Sequence, residues 1–74
     1  MTRADRLHVL RQDVDALVDA DEGTVLAALP RWDSLAILLV LSHYEHVHKQ
    51  EVTGAQIRAC RTVGDLLDLY VPRT

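Results

Sequence analysis

Seventy-four residues, 8.3 kDa, provide for one small domain spanning 1–74, and a chain of this size buries only about 60% of the surface its unfolded form exposes. The composition is 49% hydrophobic and 26% charged, with Phe absent and aromatics at 4%, which favours a helical fold rich in Leu, Val and Ala and argues against an all-β one. A net charge of −3 gives no electrostatic footing for nucleic acid, and so short a chain has too little wall for the enclosed active site of a free-standing enzyme.

The first predicted helix covers about residues 3–18. Leu7, Leu10, Val14, Leu17 and Val18 recur at helical spacing, and Thr2 is positioned to cap the start. Asp19-Ala20-Asp21-Glu22-Gly23-Thr24 then breaks the pattern, because clustered acids disfavour a helix C-terminus and Gly23 can take positive φ. A long loop follows, in which Val25, Leu26 and Leu29 can tuck onto the core with one helical turn. Pro30 stops any helix there and biases Leu29 toward an extended conformation. The second helix is expected over about 33–48, capped by Asp33 or Ser34. Val52 is a short apolar anchor. Thr53-Gly54-Ala55-Gln56 has the form of a capping box and opens a short third helix over about 54–60. Thr62 caps a last helix over about 63–71, which Pro72 ends. The expected fold class is all-α, a four-helix bundle with a short third helix and a long loop between helices one and two.

Acidic residues concentrate in the first connection and its flanks: Asp13, Asp15, Asp19, Asp21, Glu22 and Asp33 stand against Arg31 alone. That block reads either as a docking surface for a basic partner or as a solvated loop. Cys60 is the one cysteine, which excludes an internal disulfide. Residues 1–6 lack the apolar run of a signal peptide, and the longest apolar run, 35–41, falls far short of the ~20 residues that span a bilayer. A cytoplasmic location, with no membrane contact, is the expectation.

The second helix is apolar on too many sides. Ile37, Val40, Leu41, Tyr44, Val47 and His48 form one stripe, assigned to the core. Leu35, Leu38, Leu39 and Ser42 form a second, restricted to the first turns. Four helices of these lengths cannot enclose the second stripe, so part of it should be exposed beside Ser34 unless the long loop folds over it. Exposed apolar patches mark contact sites.

Arg31-Trp32-Asp33-Ser34-Leu35 carries the chemistry-bearing signal. An Asp-Ser-Leu tripeptide opening an apolar helix after a long loop, with Tyr44-Glu45-His46-Val47-His48 and Glu51-Val52 following, and Arg61-Thr62-Val63-Gly64-Asp65-Leu66 opening the last helix, resembles the acyl carrier proteins over nearly the whole chain. The resemblance implies an acyl-carrier-type bundle and a non-catalytic, monomeric role. It further implies that Ser34 carries a 4′-phosphopantetheine arm derived from coenzyme A, whose thiol holds an acyl group as a thioester. A phosphopantetheinyl transferase using Mg²⁺ would install the arm, and acyl-loading and acyl-processing enzymes would be the other partners. Asp33 would help cap the helix and position that docking, while Trp32, Leu35, Leu38, Leu39, Ser42 and His46 would form the partner face. Leu39 and His46 stand where many fatty-acid carriers have acids, His48 where a core Phe is common, and Arg31-Trp32 where peptide-synthetase carriers have a Gly-Gly pair. The Trp-Asp-Ser-Leu form is similar instead to discrete carriers of specialised, polyketide-like natural-product pathways.

Competing constellations carry less. His43 and His46 share a face but lack a third and fourth metal ligand, and their imidazoles read as solvated or half-buried. Ser34 and His43 lie nine positions apart on one helix, roughly 13 Å at ~1.5 Å per residue, too far for a catalytic pair. Ser34 has a plain alternative as an N-cap serine. Trp32 is either a partner contact or a plug orienting the loop, and Cys60 reads as a small buried hydrophobe. The alternative to a carrier is an unmodified helical interaction module that binds a partner through the apolar face of helix two.

Overall fold

The computed structural model describes residues 1–72, and among them four helices stand in the expected order. Each starts at a side-chain cap, which supplies an acceptor for first-turn N–H groups that have no carbonyl in front of them. Helix α1 (Arg3–Asp13) and helix α4 (Val63–Asp68) open with capping boxes, Thr2 with Asp5 and Thr62 with Asp65. The expected Thr53–Gln56 box opens α3 (Gly54–Arg58). Helix α2 (Ser34–His48) is capped by Asp33, whose Oδ1 accepts from the Ala36 N–H at 3.0 Å.

Three helices end earlier than the periodicity predicts. Helix α1 stops at Asp13, Val14 turns extended at φ −124° and ψ 101°, and a separate 3₁₀ turn covers Asp15–Leu17. The run of acids makes a continuous helix costly here, because each would meet the negative end of the dipole. The interruption keeps Leu10, Val14 and Leu17 buried while the Arg11 guanidinium holds the Val18 carbonyl at 2.8 and 3.1 Å. Helix α3 closes with a tightened turn in which Cys60 N–H reaches the Ile57 carbonyl at 3.0 Å. Helix α4 ends the same way, with the Leu69 and Tyr70 N–H groups on the Leu66 and Leu67 carbonyls. The following segment is held by Gln50, which donates to the Leu69 carbonyl and accepts from the Val71 N–H.

The long connection between α1 and α2 is a strap rather than a free loop. It carries one 3₁₀ turn at Leu26–Ala28, buries Leu26, and makes an isolated antiparallel bridge from Val25 to Thr62. Leu26 N–H donates to the Arg61 carbonyl at 2.8 Å, Val63 N–H to Thr24 at 3.1 Å, and Gly64 N–H to Glu22 at 2.9 Å. A Cβ at Gly64 would sit 3.1 Å from the Glu22 carbonyl, so a larger residue here would push the strap back by a few tenths of an ångström. Gly23, by contrast, does not use positive φ. The Asp21 carboxylate turns the chain by accepting from the Gly23 N–H at 2.9 Å, and the left-handed residue is Lys49 at φ 53°, at the end of α2. Leu29 is extended before Pro30, as its neighbour requires. Arg3 then ties α1 to strap and α4 together, bonding Glu22, Asp68 and the Gly64 carbonyl.

The core lies where α1, α2, α3 and α4 converge, with Leu10, Val40, Tyr44, Ile57, Val63 and Leu66 at its centre. Val47 is 37% exposed and so contributes less to the inner stripe of α2 than its spacing predicts. Among the described residues, no helix is long and apolar enough to cross a membrane.

Candidate functional site

The N-terminal end of α2 brings the candidate residues onto one rigid element. Asp33 adopts the extended conformation of an N-cap and spends its carboxylate on the Ala36 N–H. Ser34, the first helical residue, is exposed, and its hydroxyl makes no hydrogen bond among the described residues. The plain N-cap role therefore belongs to Asp33, and Ser34 is not needed for it. The first-turn N–H groups face the same end, where the dipole favours a negative group. The Ser34 hydroxyl is thus exposed and without a capping role, on the first turn of a 15-residue helix.

Loop residues fix the approach. Pro30 and Arg31 form a turn, and the Arg31 guanidinium crosses to the Asp15 carbonyl at 3.0 Å, pinning the segment before Ser34 to the 3₁₀ turn after α1. Trp32 is half-buried and packs against the core, the placement of a plug.

Down α2 the outer stripe is open. Leu35 and Leu38 are 64% and 59% exposed and Leu39 is 37% exposed, so the strap does not fold over them. Leu35 and Leu39 join Asp15, Ala16, Arg31 and Asp33 around a shallow groove of about 190 Å³. The next groove, about 330 Å³, is lined by Leu39, Ser42, His46, Asp13 and His43. Leu35, Leu39, Ser42 and His46 thus form one strip along the helix, with Leu38 beside it. Trp32 does not belong to that strip. It lines a separate groove with Arg58, Cys60 and Arg61.

His46 Nδ1 lies 2.8 Å from the Ser42 carbonyl and must donate there, since a carbonyl oxygen only accepts. The Ser42 hydroxyl, 3.2 Å from the same nitrogen, consequently receives no base at Nδ1 and is not an activated nucleophile. His43 departs from the expected solvated or half-buried imidazole: it is 4% exposed, with Nδ1 2.6 Å from the Asp13 carboxylate. The two ring nitrogens named for a metal thus serve separate chain partners. Asp13–His43 joins the last residue of α1 to the middle of α2, thirty positions apart, a pairing no local spacing reveals.

Below the strip, His43 meets Tyr44 and His48 edge to face, His48 packs at a tilt on Tyr44 and Tyr70, and Arg6 lies over the Tyr70 ring at 4.4 Å. The Tyr44 hydroxyl donates to the Leu66 carbonyl, and burial pushes its pKa up to about 12. Burial also lowers the His48 pKa, helped by the charges of His43 and Arg6. Cys60 is half-buried, and burial raises its thiol pKa above the ordinary value, which suppresses the reactive thiolate. No protein-family model, curated protein or solved structure matches the chain.

Proposed function

We propose that the protein is a non-catalytic acyl carrier: Ser34 bears a 4′-phosphopantetheine arm, and the strip Leu35, Leu38, Leu39, Ser42 and His46 is the face that partner enzymes read. The observation that carries this reading is the division of labour at the start of α2, where Asp33 caps and the exposed Ser34 hydroxyl is left unbonded. The residues fit the group: its phosphodiester needs an exposed oxygen with open surroundings, and the first turn of a 15-residue helix supplies both, with the helix dipole offsetting part of the Asp33 charge beside it. The arm would supply a thiol for thioester chemistry. The chain's own residues would hold and present it, with Arg31 and Trp32 keeping the anchoring segment rigid. Installing the arm joins the Ser34 oxygen to the phosphorus of coenzyme A, breaks the pyrophosphate link and releases the adenosine bisphosphate. The hydroxyl proton would pass to the transferase.

The acids support the same reading differently from a uniformly acidic helix. Asp15 and Asp33 rim the Leu35–Leu39 groove, so charge lies beside an apolar strip rather than along it. Such a face suits partners that bury leucine contacts, as in specialised, polyketide-like pathways. The open strip equally favours a second reading, an unmodified module that binds a partner on α2. Intact mass after incubation with coenzyme A, Mg²⁺ and a broad-specificity phosphopantetheinyl transferase separates them. The carrier gains the mass of the arm and the Ser34→Ala variant does not. No gain, or a gain that survives the substitution, leaves the interaction module standing.

A further inference from the structure

The groove behind Trp32 has a volume of about 400 Å³, within the range of small-ligand sites. Val25, Leu26, Ala27 and Trp32 from the strap form its apolar side, and Arg58, Cys60, Arg61 and Thr62 form the other. Its cations are unlike the chain's other described arginines. Arg3 is spent on Glu22 and Asp68, Arg6 on the Leu67 carbonyl and the Tyr70 ring, Arg11 on Val18, and Arg31 on Asp15. Among the described residues, Arg58 and Arg61 make no side-chain hydrogen bond or ion pair, and both line this groove. The Asp65 pKa is lowered first by the backbone N–H groups of Arg61 and Thr62, and the Arg61 charge adds the smallest share. The Asp65 carboxylate is already taken by the N–H groups of Arg61 and Thr62, at 2.9 and 3.2 Å. In a chain of net charge −3, two arginines with no carboxylate partner among the described residues line one groove with an aromatic ring and aliphatic side chains, which marks a place for an apolar chain ending in an anion.

We propose that this groove receives a carboxylate-bearing acyl group, its carbon chain against Trp32 and Val25 and its free carboxylate between Arg58 and Arg61. The proposal rests on the carrier reading and names the cargo class of that arm. Trp32 stands two residues before Ser34, so at about 3.8 Å per peptide step the Cα of this groove residue lies within about 8 Å of the anchoring residue's Cα. Exposed ion pairs are weak on their own. A tether changes that, since a short flexible link holds its end at an effective concentration in the millimolar range.

The test compares protein loaded on Ser34 with a succinyl or a butyryl group, equal in carbon count and differing in the terminal carboxylate. The readouts are the arginine Nε–H resonances and the indole N–H of Trp32, the chain's single Trp. The succinyl form should shift the Arg58, Arg61 and Trp32 signals relative to the unacylated form, and the butyryl form should leave the arginine signals in place. Thioester hydrolysis in the succinyl form should speed up at least twofold in an Arg58→Gln/Arg61→Gln variant that takes up the arm normally. Identical arginine signals in the succinyl and butyryl forms overturn the proposal. So do shifts that appear with the unacylated arm alone, which would assign the arginines to its phosphodiester. If Ser34 takes no arm, the carrier reading falls by itself. Free succinyl-pantetheine against butyryl-pantetheine, titrated into unmodified protein, then decides the groove: arginine shifts specific to the succinyl compound uphold it, and their absence ends it.

Discussion

The two halves of α2 solve opposite problems with similar residues. The first half carries Leu35, Leu38 and Leu39 in the open, whereas the second buries His43 and Tyr44 and packs them on His48 and Tyr70. Hydropathy alone would assign the leucines inward and the histidine outward. Neighbours decide otherwise: Asp13 offers the His43 imidazole a carboxylate, and the Leu66 carbonyl offers the Tyr44 hydroxyl an acceptor, so the polar atoms are satisfied inside. Nothing in the described chain covers the leucines. One end of the helix is therefore packed into the core and the other leaves its leucines open.

Substitutions can break that contrast. Tyr44→Ala should have the largest effect, a loss of roughly 3–5 kcal/mol in urea unfolding, from the cavity in the core and the lost hydroxyl bond to the Leu66 carbonyl. Asp13→Ala should cost about 1–3 kcal/mol, because it strands a buried ring N–H. Asp33→Ala should cost about 1 kcal/mol by removing the cap of α2. At the opposite end of the scale, Leu38→Ala and Ser34→Ala should each change stability by no more than about 0.5 kcal/mol. A large loss in Ser34→Ala would show that the hydroxyl has a structural duty, and the contrast between the halves would fail.

Acidification sharpens the comparison further. The folded His48 pKa lies below its ordinary value of 6.5, so the unfolded chain binds the proton more readily. This contribution to stability is fully present above pH 6.5 and is lost as pH falls from there through the folded pKa. Urea midpoints between pH 7.5 and 5 should fall in the wild type and fall less in His48→Gln. The carboxylates of Asp5 and Asp65, held low chiefly by backbone N–H groups, lose their share at more acid pH.

The helices, their caps and the leucine excess beside Ser34 are legible in the sequence because each is local. A hydroxyl or carboxylate three residues ahead of its N–H partner, or leucines at helical spacing, can be read from a short window. Asp33, rather than Ser34, as the cap of α2 needed coordinates, since either residue has the chemistry. So did the early end of α1, where the propensity of Asp15–Val18 loses to the dipole and to the Arg11 hold on Val18. The Asp13–His43 pair, the strap's backbone bonds to Arg61–Gly64 and the Trp32–Arg58–Arg61 groove join positions far apart in the chain. Pattern along the chain has no access to them.

The strap has a further implication. Three backbone hydrogen bonds and the Arg3 clamp join it to the start of α4, so the chain's first third is sewn to its last third without passing through α2. A protease cut at Pro30–Arg31 would leave the leading fragment seated on the remainder, migrating as one species in native gels and as two once denatured. Reassembly from separately made pieces becomes feasible, with the Ser34-bearing piece supplied in isotope-labelled form.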